Sequence, residues 1–297
     1  MSFDTKDYLD KRKEIVDRAL REYLPPGETK TKLRQSILYS IHPGGKRLRP
    51  ILCLAASELI CGSHKNALPA ACAIEMIHTY SIIHDDLPSM DDDDTRRGKP
   101  ANHRVFGEAV ATLAGDALLT DAFNLITEKL LGEGVSSELI LRVISIISEA
   151  SGSKGMVLGQ TLDLEMDGSE QPSVDEILNA YIMKTAKMIT ASVLSGAVLA
   201  GAEDEELLNL KSYSERIGVA FQIKDDLLDV KENCDTTQES GDKSGTKKHT
   251  YVSVMGIEAS KAKVSELTDQ AIAELESFRK TPNPLREIAA WLSEREE

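Results

Sequence analysis

Aromatic residues are scarce in this 297-residue chain, at 4%, although hydrophobic residues make up 41%. Leu, Ile, Val and Ala must therefore fill the core, and that composition excludes wholesale disorder. It suits closely packed helices better than a β-sandwich, which draws on aromatic and β-branched strand positions. An excess of positive charge is also missing: 35 basic residues face 49 acidic ones, a formal net charge of −14. So acidic a surface repels nucleic-acid phosphates, and no nucleic-acid partner is expected. An anionic small substrate is still admissible where the site supplies local cations or metal. No CxxC pair occurs among Cys53, Cys61, Cys72 and Cys234, which read as reduced structural thiols. The N-terminal MSFDTKDYLDKRKEIV is too charged for a secretory leader. The most apolar stretch, residues 189–202, is too short to span a bilayer. No transmembrane segment and a cytoplasmic location are the expectations.

Strict apolar–polar alternation is scarce too, whereas apolar residues recur at three- and four-residue spacing. The pattern predicts helices over 4–22, 30–41, 46–61, 67–86, 107–131, 136–150, 174–200, 205–231, 258–279 and 284–294. Pro25-Pro26, Pro43-Gly44-Gly45, Gly98-Lys99-Pro100 and Gly132-Glu133-Gly134 punctuate them. No strand run bounded by hairpin turns and no solenoid repeat is visible. The polar stretch from Asn233 to His249 reads as a mobile loop rather than a domain linker. The simplest architecture is one all-α domain over residues 1–297.

Two acidic clusters break the rule that carboxylates avoid the ends of apolar helices, where burial and the negative dipole end both penalise them. One is His84-Asp85-Asp86-Leu87-Pro88-Ser89-Met90-Asp91-Asp92-Asp93-Asp94, the other Asp225-Asp226-Leu227-Leu228-Asp229. A single acidic run is more often solvated surface; two in matching positions point to function. Asp225 and Asp229 are four apart and share a helix face, which suits a hard cation such as Mg²⁺ with substrate phosphate and water as further ligands. Asp85 and Asp91 are six apart, so a straight helix would separate them, and Pro88 offers the turn that brings Asp91 round. An EF-hand loop is excluded, because the run lacks the turn glycine and closing glutamate.

Basic groups sit beside these carboxylates. Lys46 and Arg49 in GGKRLRP are three apart near a helix start, where cations and free N–H groups favour diphosphate. Arg96 and Arg97 are adjacent and point different ways, one for each of two ligands. His78 lies two turns before Asp85; it reads either as a phosphate donor or as a core histidine.

Taken together, GGKRLRP (44–50), IHTYSIIHDDLPSMDDDDTRRGKP (77–100), LAGDALL (113–119), GQTLDLE (159–165), KT (184–185) and FQIKDDLLD (221–229) resemble the trans-isoprenyl diphosphate synthases, closest to bacterial farnesyl diphosphate synthases. The resemblance covers about residues 44–251 and implies an isoprenoid-synthase helical bundle around a deep central cavity, usually a homodimer. It implies that Asp85, Asp86 and Asp91, with Asp225, Asp226 and Asp229, bind Mg²⁺. It implies isopentenyl diphosphate at Lys46, Arg49, His78 and Arg97, and allylic diphosphate at Arg96, Lys184, Thr185 and Gln222. Lys184, Thr185 and Gln222 are also the implied catalytic residues at the leaving group, and Gln160 and Asp163 match a cavity-lining pattern. The segment after the second cluster departs from the family in being shorter, and Lys243, Lys247 and Lys248 are equal candidates for a phosphate contact.

The resemblance extends to product length. Tyr80 stands five residues before Asp85, ~7–8 Å along a helix, beside the small Ser81. An aromatic floor there implies a farnesyl product; the bland alternative is a core tyrosine. Geranylgeranyl or geranyl diphosphate synthases share the chemistry. A terpene cyclase fits less well, since Lys46 and Arg49 would have no purpose. A non-catalytic subunit typically loses an acidic motif, and both are intact here.

Overall fold

The computed structural model describes residues 3–25, 27, 31–167, 172–236, 249–279 and 282–295, and these residues are almost entirely helical. They divide into two compact units. The first comprises Lys6–Ile147 with Ser195–Gly201; the second comprises Ser148–Leu194 with Ala202–Glu297 and the first few residues of the chain.

In the first unit, α1 (Thr5–Tyr23), α2 (Lys32–Ile41), α3 (Leu48–Cys61) and α4 (Leu68–Asp85) precede a two-stranded hairpin, β1 (Thr95–Arg96) and β2 (Lys99–Pro100). Then come α5 (Asn102–Phe106), α6 (Glu108–Gly132) and most of α7 (Ser137–Ser151). α4 starts on Pro69 in its first turn, and every residue from Pro69 to Ile77 is buried. An all-round apolar helix of this kind must be central, and α3 is buried almost as completely.

The second unit is built from α8 (Met156–Asp167), α9 (Val174–Tyr181), a π-helical turn (Ile182–Ala186), the start of α10 (Lys187–Leu199), α11 (Asp204–Thr236), α12 (Tyr251–Met255), α13 (Ile257–Glu274) and α14 (Pro284–Glu294). Ser173 and Glu176 form a capping box that starts α9, and Asn283 caps α14. Ile177, Tyr181, Ala186, Ile223, Leu227 and Tyr251 share a core cluster. The Tyr213 hydroxyl, buried in α11, donates to the Leu285 carbonyl at 2.8 Å and fixes α14.

All ten helical segments expected from periodicity are present. Three more are not visible as apolar stripes: α5 and α12 are too short, and α8 mixes polar residues with Gly159. The small hairpin is a correction to the strand-free reading. Its two-residue turn places both Arg97 (φ 52°) and Gly98 (φ 72°) at positive φ, the type I′ geometry that matches strand twist. α11 runs to Thr236, so residues 233–236 are helical rather than loop; the rest of that stretch up to 248, with Lys243, Lys247 and Lys248, lies outside the described residues.

Cys53 and Cys72 are buried and Cys61 is exposed, all as free thiols, and burial pushes the Cys53 thiol pKa up. By length and composition alone, α6 and the continuous stretch Val174–Leu199 reach the span of a bilayer, a weak signal that buried core helices also give. The apolar window of Val174–Leu199 is 72% buried within the protein, as a core helix would be, against 39% for α6.

Candidate active site

The first acidic cluster is a turn, not a helix extension. Pro88 supplies no N–H to carry α4 onward, and the Asp91 amide donates back to the Asp85 carbonyl at 2.9 Å. The chain thereby returns Asp91 to the end of α4, as the spacing of the motif required. Asp86 is 2% exposed and accepts from Arg96 Nε at 2.9 Å and Nη2 at 2.5 Å. Burial raises the Asp86 pKa, with the arginine opposing that shift. Arg96 also bonds Asp93 at 2.7 Å, and Arg104 pairs with Asp94. Asp91 is exposed.

The two adjacent arginines do diverge. Arg97 turns to the glycine loop and donates to the Gly44 carbonyl. Its guanidinium fills the space beside Gly45, where a Cβ would stand 2.5 Å from the Arg97 Cζ. Arg49, in the first turn of α3, places Nη1 3.4 Å from His78 Nε2. Burial first, then the charges of Arg49 and Arg97, hold His78 well below the usual histidine pKa. Arg49, His78, Arg97 and the Gly44–Gly45 backbone therefore converge. Lys46 is exposed in the loop and shares no helical face with Arg49, because α3 begins at Leu48. A cavity of about 120 Å³ lies next to the arginines, lined by Tyr39, Thr79, Ile83, Asp86, Arg96 and Arg97.

Sequence reasoning passed over Arg47. It sits at φ 51° at the start of α3, with a side chain 1% exposed. Its guanidinium bonds Asp17 at 2.9 Å, Glu75 at 2.6 Å and the Ile41 carbonyl at 2.5 Å. This buried ion pair ties the loop carrying Lys46 to α4 one turn before His78. Tyr80, also in α4, is 6% exposed, and its hydroxyl pKa is pushed up to about 12 by burial and then by the charge of Asp85. Ser81 turns its hydroxyl back to the His78 carbonyl at 2.9 Å.

In the second unit the π-turn carries Lys184 and Thr185. The Lys187 amide reaches the Ile182 carbonyl, five residues back, so one extra residue is accommodated in the helix. Two glycines make room for the widened turn. A Cβ on Gly159 of α8 would lie 2.5 Å from Lys184 Cα, and one on Gly218 of α11 2.5 Å from Ala186 Cα. Lys184 Nζ pairs with Asp163 at 2.5 Å. Thr185 donates to Gln222 at 2.9 Å, and Gln222 donates to Asp226 at 3.3 Å. The family resemblance names Lys184, Thr185 and Gln222 together, whereas nothing in the local sequence singles out Tyr181. Its hydroxyl donates to Asp226 and accepts from the Tyr251 amide at 3.0 Å. Asp226 is 5% exposed, and burial pushes its pKa up to about 7. Gln160 is buried, and among the described residues neither of its amide atoms has a hydrogen-bond partner.

Asp225 and Asp229 lie on a more open face of α11 than Asp226. Asp225 pairs with Arg295, whose guanidinium stacks 4.5 Å above the Phe221 ring. Nothing in the local sequence announces that partner, 70 positions away. Among the described residues, no three His, Cys, Asp or Glu side chains stand close enough to hold a metal ion by themselves. The donors presented are all carboxylates, which fit a hard cation that takes one or two protein ligands and completes its shell with phosphate and water.

The polyprenyl synthetase family model matches residues 30–283. The chain is 43% identical to the geranylgeranyl diphosphate synthase of Cyanophora paradoxa over 298 residues, covering 99% of this chain and 97% of that protein. It is 44% identical to the farnesyl diphosphate synthase of Bacillus subtilis (strain 168) over 258 residues, 86% of each. The crystal structure of an FPP/GFPP synthase from Zymomonas mobilis superposes with a TM-score of 0.86 at 35% identity, covering 97% of this chain and 98% of that one.

Proposed function

Since the chain belongs to the polyprenyl synthetase family, whose chemistry is trans-prenyl diphosphate synthesis, we propose that it condenses isopentenyl diphosphate with dimethylallyl and then geranyl diphosphate and stops at farnesyl diphosphate. The observation that carries the product assignment is Tyr80, buried on α4 yet close enough to Asp85 for the carboxylate to act on its hydroxyl. A tail growing along α4 from the aspartates meets that ring after a few isoprene units.

In this reading Arg96, Lys184, Thr185 and Gln222 hold the allylic diphosphate, and Lys46, Arg49, His78 and Arg97 hold isopentenyl diphosphate. The allylic C–O bond breaks and its electron pair leaves with diphosphate. The isopentenyl double bond attacks the allylic carbon, and the proton lost from the adduct passes to the released diphosphate. The arginines and lysines stabilise charge that develops on the leaving group, and the Thr185 and Gln222 dipoles face the cation without being alkylated. Bound Mg²⁺ supplies further positive charge for the departing diphosphate. Asp85, Asp91, Asp225 and Asp229 would hold it. Asp86 and Asp226 belong to the same ligand set, and their bonds to Arg96 and to Tyr181 and Gln222 also orient the two clusters. We further propose a cytoplasmic homodimer in which residues 1–297 act as one catalytic domain.

Geranylgeranyl diphosphate is the second reading, favoured by the 43% identity to a synthase of that name. Purified protein given Mg²⁺, dimethylallyl diphosphate and labelled isopentenyl diphosphate decides between them. Farnesol should dominate after dephosphorylation. Mainly geranylgeraniol would keep the chemistry and remove the Tyr80 floor; no product with any allylic starter would leave a non-catalytic subunit.

A further inference from the structure

His84 takes no part in the assignments above, yet its ring packs directly against that of Tyr80. It follows Tyr80 by four residues in α4, so both lie on one helix face. The two rings meet edge to face, with centroids 5.6 Å apart and planes at 80°. On its other side His84 is gripped by α6. Its Nε2 lies 3.0 Å from the Thr112 carbonyl, which requires the proton on Nε2, and 4.0 Å from Asp116 Oδ1.

Gly115 explains why the imidazole fits there. This glycine lies within α6, so backbone freedom is not what it supplies. A Cβ at 115 would collide with Nε2 of His84, stand 2.5 Å from its Cδ2 and 3.0 Å from its Cε1. The missing side chain is a slot, and the imidazole fills it. Tyr80 is thereby braced: its ring cannot tilt toward α6 while His84 is seated.

We propose that His84, seated in the Gly115 slot, is a specificity-determining residue that sets product length by fixing the ring of Tyr80. The inference rests on the reading of Tyr80 as the floor and goes beyond it, since it places the control of that floor in α6 and in a histidine next to the metal motif. Two substitutions then act in opposite directions. His84→Ala empties the slot, lets the phenol ring tilt into it and deepens the cavity. Gly115→Ala drives the imidazole out of the slot against the ring it touches and makes the cavity shallower. General loosening of the helix pair would move both variants the same way.

The test uses the full chain with Mg²⁺, dimethylallyl diphosphate and labelled isopentenyl diphosphate. Product ratios are compared at equal total incorporation, because His84 adjoins Asp85 and its loss will also change the rate. Tyr80→Ala and His84→Ala should each raise the geranylgeranyl-to-farnesyl ratio by about tenfold or more, a discrimination typical of small changes in apolar pocket size. Gly115→Ala should raise the geranyl-to-farnesyl ratio instead. An unchanged ratio in His84→Ala, while Tyr80→Ala lengthens the product, overturns the brace and leaves the floor standing. No lengthening in Tyr80→Ala removes the floor and the brace with it. If circular dichroism shows that His84→Ala does not fold, Gly115→Ala decides: shorter products support the brace, unchanged or longer ones overturn it.

Discussion

The carboxylates of the two clusters differ in what surrounds them more than in spacing. Asp86 and Asp226 are buried and hydrogen-bonded, whereas Asp85, Asp91, Asp225 and Asp229 are more open. Asp85→Asn or Asp225→Asn should therefore lower turnover by orders of magnitude with little change in melting temperature; near-normal turnover in either would refute that residue's metal role. His78 makes a prediction of a different kind. Its pKa in the fold lies below the ordinary 6.5, through burial and then the arginines. As pH falls below 6.5, the unfolded chain takes up a proton that the folded site refuses. The stability this histidine carries is complete above that pH and declines below it. The slope of stability against pH in that acidic window should flatten in His78→Gln, as followed by urea denaturation.

At the scale of elements, the π-turn between α9 and α10 depends on the absence of side chains at Gly159 and Gly218. Overpacking of this sort costs about 1–3 kcal/mol, and here the atoms displaced belong to Lys184 itself. Gly159→Ala should lower kcat more than it raises KM for the allylic substrate, with a modest fall in melting temperature. Unchanged kcat would mean that the turn tolerates the shift and that its geometry is not set by this contact. The type I′ hairpin works the same way in the first unit. It aims Arg96 at the acidic turn and Arg97 at the glycine loop from neighbouring positions.

For the whole molecule, the net charge of −14 is compatible with anionic substrates because cations are concentrated locally in the first unit, where Arg96 and Arg97 line one cavity and Arg49 lies beside His78. The homodimer reading also belongs at this scale. Leu113 and Leu131 on α6 are 57% and 56% exposed and lie eighteen residues apart, five helical turns, hence on one face. A stable dimer interface buries about 1,200–2,000 Å², and an apolar helix face is suited to that. Leu113→Asp should convert a dimer to a monomer in sedimentation experiments at micromolar concentration. An unchanged mass would place the interface elsewhere or show that the wild type is a monomer.

The sequence by itself determined what is local. Helical class follows from apolar spacing, the return of Asp91 follows from Pro88, and the shared face of Asp225 and Asp229 follows from 3.6 residues per turn. The motif segments were legible for the same reason: their residues are neighbours in the chain. Only the tertiary structure decided which carboxylates turn inward, because Asp226 meets Tyr181 across 45 positions. It likewise decided that Asp225 meets Arg295, and that Arg47, next to Lys46 in the chain, is buried between Asp17 and Glu75. The physical reason is common to all three. A buried charge must find a partner wherever the fold brings one, and spacing along the chain carries no record of that distance.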